Sequence, residues 1–564
     1  MAGIEPIKTE VVSSDVLVIG GGIAACCAAI KAKECGSDVV LVDKGTVGRS
    51  GLSPCMSGIL TCFDPQKDDE ELVYKERVEN GVWLADQECL DNMNQESWEC
   101  IKELESFGAK FQKDTKGEYI RKPGVGATHG RNVSMVHGGI QLMTVLRGEV
   151  LKRGVHVIER VMVSELLTSD GKSPTKGRIV GAVGFNVRTG KFYVFKAKAV
   201  IIATGGALSI QVRCVHPHCS GDGLGMAFRA GAEVRNMDVL IYSPRLRDFK
   251  GPIGPGLHIF AMEDVHYVNA NGERFVSKWD KRGERADRAT IGKAWFMEEK
   301  EGRGPIYTDA THLDVSAHDR IEKAMPLVIH SLNAIGQSFR KDKIPYTTDL
   351  LDEEGGIRLN KEAAATIPGL YAAGDVGDAA YQGCSEPLSP GMGSAIYAYR
   401  AGKAAAKYCA GADQSSTDEQ QVQLLKEKIF APMTQKAGLN HHEVRAHCRS
   451  LLEKELLGPI KNEKNIKQAI AIAKEIRRNE MPKLKAKDYH ELARTFSLGS
   501  ELLFLELIAH CSLARTESRG SHFREDYQEQ DDVNWLKWVI AKREDDDIKV
   551  WTESIPFDKY RLKP

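Results

Sequence analysis

Four apolar residues, Val16-Leu17-Val18-Ile19, run straight into Gly20-Gly21-Gly22 and then into the alanine-rich stretch Ile23-Ala24-Ala25. An apolar run of this length reads as a strand buried on both faces of a parallel sheet. The glycines then force a tight turn into a helix, Cys26 to Lys33. Gly20 permits the turn, Gly22 lets the backbone approach a pyrophosphate, and Ala25, next to Ala24, lets the helix pack close to the sheet. The helix N-terminus supplies free N–H groups and positive potential. A second strand, Asp38-Val39-Val40-Leu41-Val42, ends at Asp43-Lys44, the acid lying 23 residues after Gly20 and placed to accept hydrogen bonds from a ribose. Strand, turn, helix, strand and acid in that order predict a dinucleotide site.

At 564 residues the chain is too long for one core, so two to four domains are expected. A hydrophobic content of 42% with 27% charged residues describes a soluble globular protein. The net charge of −1 provides no global field for nucleic acid or an anionic membrane. The apolar runs 199–203 and 502–509 are too short to cross a bilayer, so no transmembrane segment is expected. Met1-Ala2-Gly3-Ile4-Glu5-Pro6 lacks the basic and apolar regions of a secretory signal. Thirteen scattered cysteines, an odd number, suit reduced thiols in a cytoplasmic protein. No CxxC spacing occurs, and no iron–sulfur cluster of the chain's own is expected.

Beyond the first βαβ unit the pattern predicts helices over 69–107, a glycine-rich loop through Gly124, Gly126 and Gly130, a helix over 140–153 and a strand over 155–158. A hairpin-like pair, 178–186 and 191–195, precedes a separate buried strand, 199–203, that ends in Thr204-Gly205-Gly206. A further strand closes on Ala373-Gly374-Asp375, and a helix follows over 394–409. Two strand ends with glycines plus a late glycine–aspartate imply a discontinuous FAD domain rather than a free NAD(P) site. The expected class is α/β plus α+β: a Rossmann-like FAD-binding domain in two parts (1–241 and 346–410), an inserted capping domain (242–345), a C-terminal helical domain (411–530) and a tail (531–564).

Several ordered motifs resemble the flavoprotein subunits of succinate dehydrogenase, fumarate reductase and adenylylsulfate reductase. They are the first glycine turn, Ala203-Thr204-Gly205-Gly206, Ser220-Gly221-Asp222-Gly223, Asn271-Gly272-Glu273-Arg274-Phe275 and the stretch ending at Asp375. Late in the chain, Ala514-Arg515-Thr516-Glu517-Ser518-Arg519-Gly520-Ser521-His522-Phe523-Arg524-Glu525-Asp526-Tyr527 is similar to the signature of that family's helical domain. The resemblance implies an arginine acid at Arg288. It also exposes departures: Ser243 stands for a histidine, Leu257-His258 for a threonine–glutamate pair, a residue near Tyr346 for a second histidine, and Ser389 for an arginine. A site short of carboxylate donors leaves a buried charge unpaired, which disfavours succinate and fumarate. The histidine that carries FAD covalently in relatives falls near Gly51, in Arg49-Ser50-Gly51-Leu52, so noncovalent FAD is expected. Phe249 to Gly256 and Glu301 to Tyr307 resemble the adenylylsulfate reductase flavoprotein, but Leu60 replaces the asparagine near its flavin.

The stretch Pro387 to Ser394, with Ser389, Gly393 and Ser394, should present helix N–H groups to the flavin edge that carries negative charge. The expected reaction is hydride transfer between flavin N5 and one carbon of an activated C=C bond, with Arg288 delivering or removing the proton at the neighbouring carbon. Arginine needs a desolvated site and a relay, for which Glu284 and Asp287 are candidates; the competing role is an interdomain salt bridge. Arg245, Arg247 and Lys250 are candidates for an anionic substrate group or for a solvated loop. His258 and His266 are candidate polar groups, one of them a packed core histidine. Cys214-Val215-His216-Pro217-His218-Cys219 is spaced too tightly for metal, and no metal is expected. Cys26 and Cys27 read as packing residues, and His441-His442 as a helix surface. The chain is expected to work with a small-molecule substrate and a ferredoxin-like iron–sulfur subunit, docked in part by the tail from Arg543, which otherwise reads as a solvated helix face. Two alternatives are a flavoprotein acting at sulfur and an electron-transfer subunit without small-molecule turnover.

Overall fold

The apolar register of the first strand, Thr9–Ile19, has a direct cause: it lies between two parallel neighbours, with Val18 facing Leu41 on one side and Ile201 on the other. Val16, Leu17 and Val18 are fully buried as a result. The computed structural model describes residues 7–56, 58–211, 218–247, 256–379, 390–413, 416–452 and 456–564. The central sheet has seven strands, and helices Ile23–Glu34 and Pro390–Gly411 pack together against it.

One strand differs from expectation. The pair 191–195 and 199–203 is a single strand, Phe192–Ile202. Its first half pairs antiparallel with Ile179–Asn186, and its last residues pair parallel with Leu370–Ala372 on the same edge. Lys196 and Lys198 interrupt the apolar run without interrupting the strand, and Lys198 reaches Asp15 at 3.0 Å.

The inserted region forms an antiparallel sheet in the order Leu240–Leu246, Ile344–Glu353, Ile306–Asp309, His266–Val268. Its core gathers Phe260, Tyr267, Phe275, Trp295 and Tyr346. Helix Tyr489–Ala514, 26 residues, is long and apolar enough to cross a membrane by length and composition, yet 78% of its apolar window is buried inside the fold. It is a core helix, begun by Asp488, whose carboxylate accepts from the Glu491 N–H at 2.8 Å.

The last segment is neither a free tail nor a helix face. Lys537–Glu544 and Asp547–Ser554 form a β-hairpin, and its first strand pairs with Val234–Arg235. Trp538 donates its indole N–H to the Leu84 carbonyl at 2.8 Å, and the Tyr560 hydroxyl reaches Asp86 at 3.0 Å. The C-terminus is thereby stitched to the N-terminal third of the chain.

Candidate active site and cofactor cavity

The turn after the first strand is steric in origin. Gly20 has φ +130°, and a Cβ there would overlap the carbonyl of Ala203 at the end of the neighbouring strand. At Gly22 a Cβ would sit 2.8 Å from the Ser53 hydroxyl. Helix Ile23–Glu34 has no side chain on its N-cap, although the Ser53 hydroxyl accepts from the Ile23 N–H at 3.1 Å. The helix therefore points its positive end at a cavity of about 660 Å³ that begins at this turn.

Gly20, Gly22, Ala24, Asp43, Lys44 and Gly51 line that cavity, with Ser50 beside Asp43. Ala203, Thr204 and Gly205 close one wall; Asp222, Gly374, Asp375 and Ser394 close another. Burial raises the Asp43 carboxyl above its ordinary value, opposed by the Gly45 N–H at 3.2 Å and by Lys44. Burial pushes Asp375 up to about 6. The Lys44 ammonium bridges the Ser220 hydroxyl at 2.5 Å and Asp222 Oδ2 at 2.7 Å. Asp222 Oδ1 and the Thr204 hydroxyl are buried with no hydrogen-bond partner among the described residues. A cradle of glycines with unmet acceptors and a hydroxyl fits a polar ligand built of sugar hydroxyls and phosphates.

Other expected residues lie elsewhere. Ala25 is fully buried under the helix, in the packing role read for it. Arg49 turns away and donates to the Thr144 hydroxyl at 3.0 Å. Gly393 is buried in helix Pro390–Gly411 outside the lining, and Ser389 and Lys250 lie outside the described residues. Most of 214–219 also lies outside them, but His218 and Cys219 line the cavity.

One wall escaped the sequence reading. Tyr489, Ala493, Ser497 and Glu501, spaced by four along the long C-terminal helix, line the cavity with Arg494. Glu501 is buried, pairs with Arg445 at 2.6 Å and accepts from the Ser209 hydroxyl. The signal was a small and polar stripe on an otherwise apolar helix.

The catalytic candidates sit in the inserted region. Arg288 opens helix Arg288–Lys300 and is 7% exposed, close enough to Tyr267 for its charge to act on that buried phenol. It is not among the residues lining the cofactor cavity. Asp287 is the N-cap of the same helix and accepts from the Thr290 N–H at 2.9 Å and hydroxyl at 2.8 Å. Burial pushes Glu284 up, but two bonds from Arg274 and one from the Tyr267 N–H hold it below its ordinary value. Both relay candidates are thus engaged in structural bonds. Arg245 is buried and donates to the Leu350 carbonyl at 2.8 Å, so it is sheet structure rather than a solvated loop. Arg247 is exposed, with its N–H on the Pro345 carbonyl at 3.1 Å. His258 is the second residue of helix Leu257–Glu263.

Ser243 is fully buried on its strand, its hydroxyl without a hydrogen-bond partner among the described residues, and Tyr346 is fully buried as well. Leu60 is buried close to Gly391, at the start of helix Pro390–Gly411. His441, read as a surface residue, is buried against His442, and burial pushes it down to about 4.

The fold and cavity define a dinucleotide-binding flavoprotein of the two-part Rossmann type with a cap. Residues 15–388 match the family described as FAD binding domain, and residues 450–564 match fumarate reductase flavoprotein C-term. The chain belongs to this FAD-binding family and is an FAD-dependent oxidoreductase of the fumarate reductase/aspartate oxidase family. It is 26% identical over 566 residues to a subunit of the CoM/CoB fumarate reductase of Methanothermobacter marburgensis, covering 95% of this chain and 98% of that protein. The fold matches the FrdA chain of E. coli quinol fumarate reductase with a TM-score of 0.88 at 23% identity, over 99% of this chain and 98% of that one. It also matches adenylylsulfate reductase from Archaeoglobus fulgidus with a TM-score of 0.84 at 22% identity, over 98% and 97%.

Proposed function

We propose that this chain is the flavoprotein subunit of a complex that reduces, or forms, a carbon–carbon double bond in a substrate other than a simple dicarboxylate. The observation that carries this is Ser243: at the position where the family resemblance expects a carboxylate-binding histidine, the chain buries a small hydroxyl. Arg245, the cation nearest it in sequence, is tied to the sheet by the Leu350 carbonyl.

Bound FAD supplies two-electron chemistry at ring N5. The glycine turn and the first turn of helix Ile23–Glu34 would hold its pyrophosphate, Asp43 its ribose hydroxyls, and Asp375 and Ser394 the rest of the cofactor. Asp222, neutralised by Lys44, orders the wall between them. Arg288, almost wholly buried at the start of its cap helix, exchanges the proton with the substrate carbon in this reading. Gly51, at the position where the family resemblance expects a flavin-carrying histidine, has no side chain to carry it, which supports noncovalent binding. Acid precipitation is expected to release the whole flavin into the supernatant; flavin remaining with the pellet would refute noncovalent binding.

Electrons reach the site from an iron–sulfur subunit in this reading. The relative from M. marburgensis is itself named as one subunit of its enzyme, which supports an assembly. Anaerobic turnover of the reduced protein with candidate unsaturated acids, thioesters or ketones tests the reaction. A saturated carbon product supports it. Release of sulfite from an adenylylsulfate would establish the sulfur reaction instead, and oxidation only by a protein partner would establish an electron-transfer role.

A further inference from the structure

The outer face of the inserted region carries a side-chain cluster that the flavin site does not use. Helix Leu257–Glu263 ends at Asp264, whose left-handed backbone (φ 60°, ψ 40°) reverses the chain into the strand His266–Val268. That strand pairs antiparallel with Ile306–Asp309, His266 opposite Asp309, and the turn after Asp309 carries His312 back over it. The two imidazoles stack with centroids 3.9 Å apart and planes 19° from parallel. His312 Nε2 lies 3.1 Å from the Asp264 carbonyl oxygen, and His266 Nε2 lies 3.8 Å from Asp264 Oδ2. One donor atom from each of the three side chains lies within 4.8 Å of the others.

We propose that Asp264, His266 and His312 bind a first-row divalent transition-metal ion, zinc being the best match, with water completing the coordination. Two imidazole nitrogens and one carboxylate oxygen suit zinc, whereas magnesium and calcium favour oxygen ligands. Donors around a tetrahedral zinc stand roughly 3.3 Å apart, given bond lengths of about 2.0–2.1 Å. The side chains therefore draw together by an ångström or so, in order of magnitude, and the His266 ring turns out of the stack, because nearly parallel rings cannot aim both in-plane lone pairs at one ion. The strand pairing fixes the backbones, and the Asp264 side chain, 62% exposed, is free to turn. Competing charges nearby are engaged: Lys343 pairs with Asp309 at 3.3 Å and Arg274 with Glu284 at 2.6 Å. Contact between His312 and a backbone carbonyl orients its ring, as outer partners do at metal sites.

Asp264 and His266 share one turn and His312 comes from another, beyond the strand Ile306–Asp309, so no single local spacing in the sequence announces all three. A bound ion would tie the end of the helix that carries His258 to the edge of the cap sheet. The site stands independently of the flavin reading and of the substrate.

Zinc chloride alone is titrated by calorimetry into chelator-treated, FAD-loaded protein, with magnesium chloride as the comparison. One zinc per chain is expected, with no magnesium heat and a rise in thermal midpoint on adding zinc. His266→Gln and His312→Gln are each expected to weaken zinc binding by about tenfold or more. Asp264→Asn, which tolerates the same backbone conformation, should weaken it with flavin content unchanged. His442→Gln, on helix His441–Ser450, should bind zinc as the unaltered protein does. Unchanged stoichiometry and affinity when both His266 and His312 are replaced by Gln would overturn the proposal, as would the absence of any zinc heat in the unaltered protein.

Discussion

Replacing Arg288 with Ala is expected to lower kcat by about 10²- to 10⁴-fold, the usual contribution of a positioned proton donor, while flavin content and reduction by dithionite stay intact. The placement of the side chain makes this a sharp test. Arg288 is the first residue of a 13-residue helix, where the helix dipole repels a cation, and it is also almost wholly buried. Flavin content and the thermal midpoint of the variant report whether it folds, so turnover by folded, flavin-loaded protein reads the proton step alone. Arg288→Lys, which keeps the charge but not the planar fork of donors, should recover only part of the rate. A purely structural salt bridge predicts turnover retained by whatever fraction of Arg288→Ala folds with flavin. Full turnover in Arg288→Ala would remove the residue from the mechanism.

Gly20→Ala is expected to yield protein without flavin, or no folded protein at all. Two costs add at this position. The backbone sits at φ +130°, which side chains rarely adopt, and the new methyl would overlap the Ala203 carbonyl. Strain of this kind costs on the order of 1–3 kcal/mol before the overlap is counted. Gly22→Ala is the milder neighbour: its methyl meets only the Ser53 hydroxyl, a side chain that can turn. It should fold and bind FAD more weakly, because Ser53 loses its bond to the Ile23 N–H. Flavin-to-protein ratios and FAD titration fluorescence separate the two variants; equal flavin content in Gly20→Ala and the unaltered protein would sink the steric account.

The nucleotide turn was legible in the sequence because its glycines answer a local steric demand that no other residue meets. The cap was legible only as a region without long parallel strands. Two features resisted for identifiable reasons. Lys196 and Lys198 made one strand look like two, because alternating half-buried lysines resemble a turn when pairing partners are unknown. Arg543-Glu544-Asp545-Asp546-Asp547 looked like a solvated face, yet it is the turn of a hairpin, with Asp545 in the left-handed region at φ 52°. The catalytic candidates were nameable from motif position, but motif position does not reveal that Glu284 and Asp287 spend their lone pairs on Arg274, Tyr267 and Thr290. The stripe from Tyr489 to Glu501 was visible as composition and meaningless until the helix was laid against the cavity.

That stripe has a consequence for how the cavity is closed. The cavity takes one wall from the turn at Gly20 and another from the helix stripe ending at Glu501, so it is enclosed only once residues far apart along the chain have come together. An N-terminal half can build the glycine turn but offers the flavin an open trough. Flavin binding is therefore expected to need the C-terminal helix in place, and chains truncated before Tyr489 are expected to be colourless, which a flavin-to-protein ratio checks.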